Sequence, residues 1–462
     1  MTKMPPITIN FLQDLYRKHQ AEIREDYLTF LRFQSISSEP PFRDQVNACA
    51  TWLTSYLAAA GLTAECWQTS GHPVVYAEWL GAGKDKPTVL IYNHYDVQPV
   101  DPLELWNSPP FEPRIEGDEV YARGAQDNKG QCFYVVSVIK ALLKSSKQLP
   151  VNVKLCIEGE EECGSKALND ILPAKREKLR ADHLLIVDLG MPTSETPAVT
   201  LGIRGIVTMT VEVHGSSSDL HSGTHGGVVY NPNHALVEIL AKLHDANGRV
   251  NIPGFYDAVK EPTAEEQRQI DFRFDDALYE RQFGAKATGG EKDRSPLQSA
   301  WLRPTVEING LGGGYCGDGF KTVIPAVAKA KVSCRLVPDQ DPAKIGKLMA
   351  DFIERLAPDG VKVKVKIHAG GGRPVRTPPT SPVVRVAAQA YSELFGKPCH
   401  YILEGGSIPI VTELASTAGA DVVLMGFGLP TDNVHAPNEH FGMARLERGF
   451  ATIGRILELL GA

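Results

Sequence analysis

Short acidic and histidine segments stand at the ends of apolar runs: His94-Tyr95-Asp96, Asp127, Glu161-Glu162, Asp188 and, much later, His435. Two imidazoles with several carboxylates make up the ligand set of a site for two divalent metal ions. Each segment alone has an ordinary alternative. Period-two spacing puts His94 and Asp96 on one side of an extended backbone, where the carboxylate could fix the tautomer of a histidine ligand. A strand-end histidine bonded to a neighbour would look the same. Asp127 lies in the glycine-bracketed turn Arg123–Gly130, where it could bridge two metals or cap a helix. Glu158–Glu162 holds four carboxylates within five residues, which also suits a solvated acidic loop. In a site, adjacent glutamates would divide the labour: one binds metal while the other takes a proton from the attacking water. Asp188 directly follows the apolar run Leu184–Val187, and a carboxylate buried there must be partnered or metal-bound. The ensemble points to metal-assisted hydrolysis.

The elements that must position these residues follow from hydrophobic periodicity. Asn10–Phe33 and Gln45–Ala60 carry apolar residues at helical spacing, as does Cys132–Leu143. Between them lie the short apolar runs Val74–Leu80, Thr88–Asn93, Val151–Ile157 and Leu184–Val187. Strands interleaved with helices predict an α/β layer with a largely parallel sheet, whose ligands bind at the carboxyl ends of strands. His94, Asp96, Glu161, Glu162 and Asp188 all fall at such ends.

The texture changes after Thr200. Ile206–Val213, Ala326–Val337 and Val361–Ile367 alternate as strands, and Pro232–His244 and Pro342–Leu356 read as helices. This predicts a smaller sheet covered on one face by helices. Asp245–Arg303 reads as a charged, irregular insert. Gly370–Pro374 with Pro378-Pro379 signals a linker, after which Pro382–Phe395 is helical and α/β character resumes. The predicted organisation is a catalytic α/β domain (residues 1–200 and 376–462) interrupted by an inserted α+β domain (201–375).

With 462 residues, two domains are the default. A net charge of −7 offers no concentrated basic face for nucleic acid. No apolar stretch is long enough for a membrane span, and Met1–Asn10 lacks the pattern of a secretory signal. The eight scattered cysteines form no CxxC and predict mostly buried apolar residues in a reducing cytoplasm. Gly312–Gly317 formally matches a dinucleotide-binding glycine pattern, but the strand-like Lys321–Pro325 follows it rather than a helix.

The chain resembles the co-catalytic zinc peptidases that include cytosolic non-specific dipeptidase, carnosinase, glutamate carboxypeptidase and aminoacylase, and lies nearest the dipeptidase branch. The resemblance rests on His94–Pro99, Gly124–Gly130, Glu160–Ser165, Asp219–Gly223, Lys321–Pro325, Arg335–Pro338, Glu404–Pro409 and His435–Glu439, in order over nearly the whole chain. It implies His94 and Asp188 on one metal, Glu162 and His435 on the other, and Asp127 bridging. Glu161 would be the general base and Asp96 the residue orienting His94. His221 would stabilise the oxyanion, either in its own chain's site or, as is common in this family, by reaching across a dimer into the partner's site. Thr322, Arg335, Gly406 and Ser407 would grip the substrate, Arg335 through its C-terminal carboxylate. Cys163 departs from the serine often found there and is not an implied ligand.

The implied cofactors are two Zn2+ ions per subunit, with Mn2+ or Co2+ as alternatives. The implied activity is hydrolysis of dipeptides or short peptides by a cytoplasmic homodimer joined through the inserted lid domain, whose closure turnover would require. N-acyl amino acid deacylation on the same scaffold is the nearest alternative, and an inactive binding protein of this fold is a remote one.

Overall fold

The computed structural model describes residues 6–264, 267, 272–369 and 371–462. Residues 1–5 of the N-terminal segment, Gly370 of the linker and residues 265, 266 and 268–271 of the charged insert lie outside the described residues.

A nine-stranded sheet organises the chain. Its order is Thr63–Trp67, Val74–Trp79, Asn152–Glu158, Thr88–His94, His183–Val187, Asp421–Met425, Ala198–Ile203 and Val375–Arg376, with His400–Glu404 also paired to Ala198–Ile203. The four middle strands, from Asn152–Glu158 to Asp421–Met425, run parallel. Antiparallel ladders flank them on both sides. The predicted, largely parallel sheet forms the centre, and His400–Glu404 adds a further parallel pairing with Ala198–Ile203. Residues 68–73, which join Thr63–Trp67 to Val74–Trp79, are too short for a parallel crossover and close a hairpin instead.

Both faces of this sheet are covered, which explains the unbroken apolar runs. In Thr88–His94, Val89 and Ile91 enter one core, while Leu90 and Tyr92 enter the other. The larger core is built with the helices Ile9–Leu31, Arg43–Ala59, Lys129–Ser146, Pro382–Phe395 and Met443–Gly461. The smaller one is built with Lys166–Leu179 and Val411–Ala418.

At Arg204 the chain leaves the large sheet and enters a second one, wholly antiparallel, ordered Thr305–Gly313, Val327–Leu336, Gly205–His214 and Lys362–Ile367. It regains the large sheet at Val375. Helices Pro232–Leu240 and Pro342–Arg355 cover one face of the second sheet and share its core. The other face presents polar residues, including Lys329, Lys331 and Ser333, as the alternation required.

The charged insert differs from expectation. Its described residues include the helices Asp276–Phe283 and Pro296–Leu302. Asp275 caps the first through Leu278 N–H, and Ser295 with Gln298 forms a capping box on the second. These short elements escaped a reading tuned to longer apolar periods. No described helix is long and apolar enough to cross a membrane.

Candidate active site

Adjacent parallel strands deliver the chemistry-bearing residues to one edge. His94 ends the strand Thr88–His94, the turn Glu161–Cys163 follows Asn152–Glu158, and Asp188 follows His183–Val187. Asp127 enters from the loop before helix Lys129–Ser146, and His435 from the loop after Asp421–Met425. The two oxygens of Asp127 face different imidazoles: Oδ1 lies 3.1 Å from His94 Nε2, and Oδ2 lies 3.0 Å from His435 Nε2. Asp188 Oδ1 is 3.5 Å from His94 Nε2, and Glu162 Oε2 is 3.3 Å from His435 Nε2.

Two trios that could each hold a metal ion result, His94/Asp127/Asp188 and Asp127/Glu162/His435, each with donor atoms all within 4.8 Å of one another. Two ligands at about 2.1 Å from one tetrahedral Zn2+ stand about 3.4 Å apart, so this donor set fits such a cation. Glu162 Oε1 supports the fit, being buried without a hydrogen-bond partner. Three protein donors for each cation would leave a position open for water or substrate, the pattern of a catalytic site. Burial is graded, from a fully buried His94 side chain to a His435 side chain that is 53% exposed at the rim. Cys163 is exposed and belongs to neither trio.

The four glutamates of the acidic run separate in space. Glu158 is buried and accepts hydrogen bonds from Tyr92 and Ser165, and burial pushes its carboxyl up to about 8. Glu160 accepts from the backbone N–H groups of His72 and Ala167, so it secures the start of helix Lys166–Leu179. Only Glu161 and Glu162 turn towards the ligands, Glu161 lining the cleft described below.

Supporting residues fix these positions. Asp96 Oδ1 lies 3.4 Å from His94 Nδ1 and accepts the Glu161 N–H, while Oδ2 accepts the Glu162 N–H and the Ser37 hydroxyl. The Asp96 backbone carbonyl lies nearer to His94 Nδ1, at 3.1 Å. Asn128 donates to Val187 O and to Asp188 Oδ1. Gln98 donates to Glu162 Oε2 at 2.7 Å. Glu439, fully buried, accepts the N–H groups of Gly124, Gln126 and Asp127 and pairs with Arg123. The loop can pack this tightly because Gly124 has φ +82° and a Cβ there would meet Val97 at 2.6 Å. His435 itself sits at φ +60°, a left-handed backbone that non-glycine residues adopt rarely.

The protein's own charges shape the protonation of the cluster. Burial opposes charge on His94, but the carboxylates of Asp188, Asp127 and Asp96 outweigh it and raise the imidazole well above its ordinary value. Hydrogen bonds to Asp127 and Glu162 raise His435 to about 11. Burial raises Asp127 as well, yet the bonds from His435 and His94 prevail and hold its carboxyl below the usual range. Burial and neighbouring carboxylates lift Glu161 well above its ordinary value and Glu162 to about 7. A concentration of negative charge under low-dielectric walls attracts cations and rewards their binding.

A cleft of about 680 Å³ opens over the cluster, lined by Asp127, Glu161, Asp188 and His435 on one side and by Gly406 and Ser407 further along. Arg335 donates to Ser407 Oγ at 2.7 Å, so the strand Val327–Leu336 of the second sheet touches the cleft margin there. His221 and Thr322 are brought together on the two-stranded sheet Leu220–His221 with Val323–Ile324, their side chains 3.5 Å apart. Both are exposed, and neither lines the cleft of its own chain.

Sequence reasoning assigned no role to Asn128 or Glu439, nor to Phe274 and Tyr279, which also line the cleft. Glu439 was nonetheless visible four residues beyond His435, within a quoted motif.

Residues 90–459 match the model of Peptidase family M20/M25/M40, and the chain belongs to that family. It is a metallopeptidase. The chain is 31% identical to the Cys-Gly metallodipeptidase of Schizosaccharomyces pombe over 436 residues, 90% of each sequence. It is 32% identical to the Beta-Ala-His dipeptidase of Homo sapiens over 375 residues, 79% of this chain and 73% of that one. The crystal structure of an M20 family metallo-carboxypeptidase from Sulfolobus solfataricus superimposes with a TM-score of 0.87 at 35% identity, covering 95% of this chain and 99% of that one.

Proposed function

We propose that this chain hydrolyses the peptide bond of dipeptides and short peptides with a free C-terminal carboxylate, using two divalent cations, Zn2+ foremost and Mn2+ or Co2+ as substitutes. The observation that carries this reading is Asp127, whose two oxygens each face a different imidazole at 3.0–3.1 Å. In the proposed roles, His94 and Asp188 hold one cation, Glu162 and His435 hold the other, and Asp127 bridges them.

When bound, the cations supply Lewis acidity and lower the pKa of a water from about 15.7 towards roughly 7. Glu161 takes the proton of the attacking water and returns it to the leaving amine; its raised affinity for a proton in the buried site suits an acceptor that must also donate. Asp96 orients both His94 and the Glu161-Glu162 turn through its two oxygens. Arg335, with Ser407, Gly406 and Thr322, grips the substrate's carboxylate end. His221 polarises the carbonyl and stabilises the oxyanion, a contribution of about 3–4 kcal/mol for one such donor.

The exposure of His221 and Thr322, away from the cleft of their own chain, supports their acting on a partner subunit in a homodimer joined through the inserted domain (201–375). Closure of that domain on the catalytic domain (1–200 and 376–462) would then assemble the site. Eight free cysteines support a reducing, cytoplasmic setting. The dipeptidase names of the relatives from S. pombe and Homo sapiens favour dipeptides over N-acyl amino acids. Turnover of a panel of dipeptides and N-acyl amino acids with Zn2+, Mn2+ or Co2+ tests the reading: hydrolysis confined to N-acyl amino acids would overturn it.

A further inference from the structure

The cleft over the metal ligands has an apolar wall that the chemistry of peptide cleavage does not require. Asp275, Leu278, Tyr279, Gln282 and Phe283 all line it. Their spacing of three and four residues places them on one face of the helix Asp276–Phe283. None of that helix is buried, so its apolar side chains enter no core of their own. Phe283 is 49% exposed.

The face is nevertheless organised. Phe274 packs on Tyr279 with ring centres 5.2 Å apart, and Tyr279 on Phe283 at 4.9 Å. Phe272 meets Trp301 at 6.2 Å, and Trp301 packs against the main core. The segment is thus anchored at one end while its rings stay open to the cleft. Across the same cleft, Met191, Leu429 and Val434 extend the apolar lining next to His435. A volume of about 680 Å³ leaves room for a side chain beyond the reacting peptide group.

We propose that this aromatic face, contributed by the inserted segment, is the specificity wall for a bulky apolar side chain of the substrate, leucine- or phenylalanine-like. The inference rests on the dipeptidase reading and adds the substrate class. An apolar side chain leaving water for the rings gains affinity in proportion to the area buried, whereas glycine gains none. A single apolar contact of this kind discriminates by about 10- to 200-fold.

The test measures kcat/KM of the metal-loaded enzyme and of Tyr279→Ala and Phe283→Ala variants on Phe-Gly, Leu-Gly, Gly-Phe, Gly-Leu and Gly-Gly. Wild-type enzyme should prefer an apolar dipeptide over Gly-Gly by about ten-fold or more. In each variant that ratio should collapse through KM, with metal content retained. Phe283→Leu, which keeps an apolar surface, should preserve most of the preference. A wild-type enzyme without the preference, or variants that keep the wild-type ratio, would overturn the proposal alone. Absence of hydrolysis on every dipeptide would overturn the dipeptidase reading and the proposal with it.

Discussion

The backbone N–H of Asp127 donates to Oε1 of Glu439 at 2.9 Å, joining residues 312 positions apart. The same carboxylate accepts from Gly124, Gln126 and Arg123, so one buried group ties the Asp127 turn to the His435 loop. Both imidazoles meet at Asp127, and its position therefore depends on Glu439.

Substituting Glu439→Ala should leave a buried Arg123 and three backbone N–H groups without their acceptor. Breaking a buried pair of this kind costs about 3–5 kcal/mol. Urea denaturation should show that loss, and metal affinity should fall about 10- to 100-fold, as it does when a residue behind a ligand is removed. Stability and affinity both within error of wild type would show that the turn is held by other contacts.

Glu161→Gln should retain both metals and substrate affinity yet lower kcat by about 10²- to 10⁴-fold, because the amide cannot accept the water's proton. Metal analysis together with steady-state kinetics separates this from loss of the site. Near-normal kcat would remove Glu161 from the base role.

Metal binding should release protons. The metal-free imidazoles of His94 and His435 are held protonated at neutral pH by their carboxylate partners, His435 up to about 11, and a ligand imidazole must be neutral. Glu162, raised to about 7, adds a fraction of a proton. Since protons compete with the cation, affinity should rise with pH across the neutral range. Calorimetric titration in buffers of different ionisation enthalpy reads the number released; affinity that does not change with pH would contradict the assigned ligands.

His221→Ala and Glu161→Gln subunits, each inactive, should regain activity when mixed and allowed to exchange. With equal mixing, roughly a quarter of wild-type activity is expected, since half of the dimers would be mixed and each of those would carry one complete site of its two. No recovery in verified heterodimers would place His221 within the site of its own chain.

Much of the candidate ligand set could be read from sequence because each residue sits where a local pattern changes. His94 and Asp188 end apolar runs, and Glu161-Glu162 follow one, so an α/β reading already put them on one edge. Glu439 and Asn128 could not be read that way: their partners come from distant loops, and only the folded chain brings a carboxylate onto four donors. The helix Asp276–Phe283 was hidden for a different reason. Its apolar residues face a cleft rather than a core, and eight residues among charges give too little periodicity to register. The antiparallel flanks of the large sheet were missed because apolar runs report burial on both faces, not strand direction.

Metal stoichiometry tests the central claim, that Asp127 bridges two cations, most directly. Purified protein stripped with chelator and titrated with Zn2+ should bind two equivalents per chain in the wild type and no more than one in Asp127→Ala, with folding checked by circular dichroism. A wild type that binds one equivalent or none, or an Asp127→Ala protein that still binds two with unchanged affinity, would contradict the account.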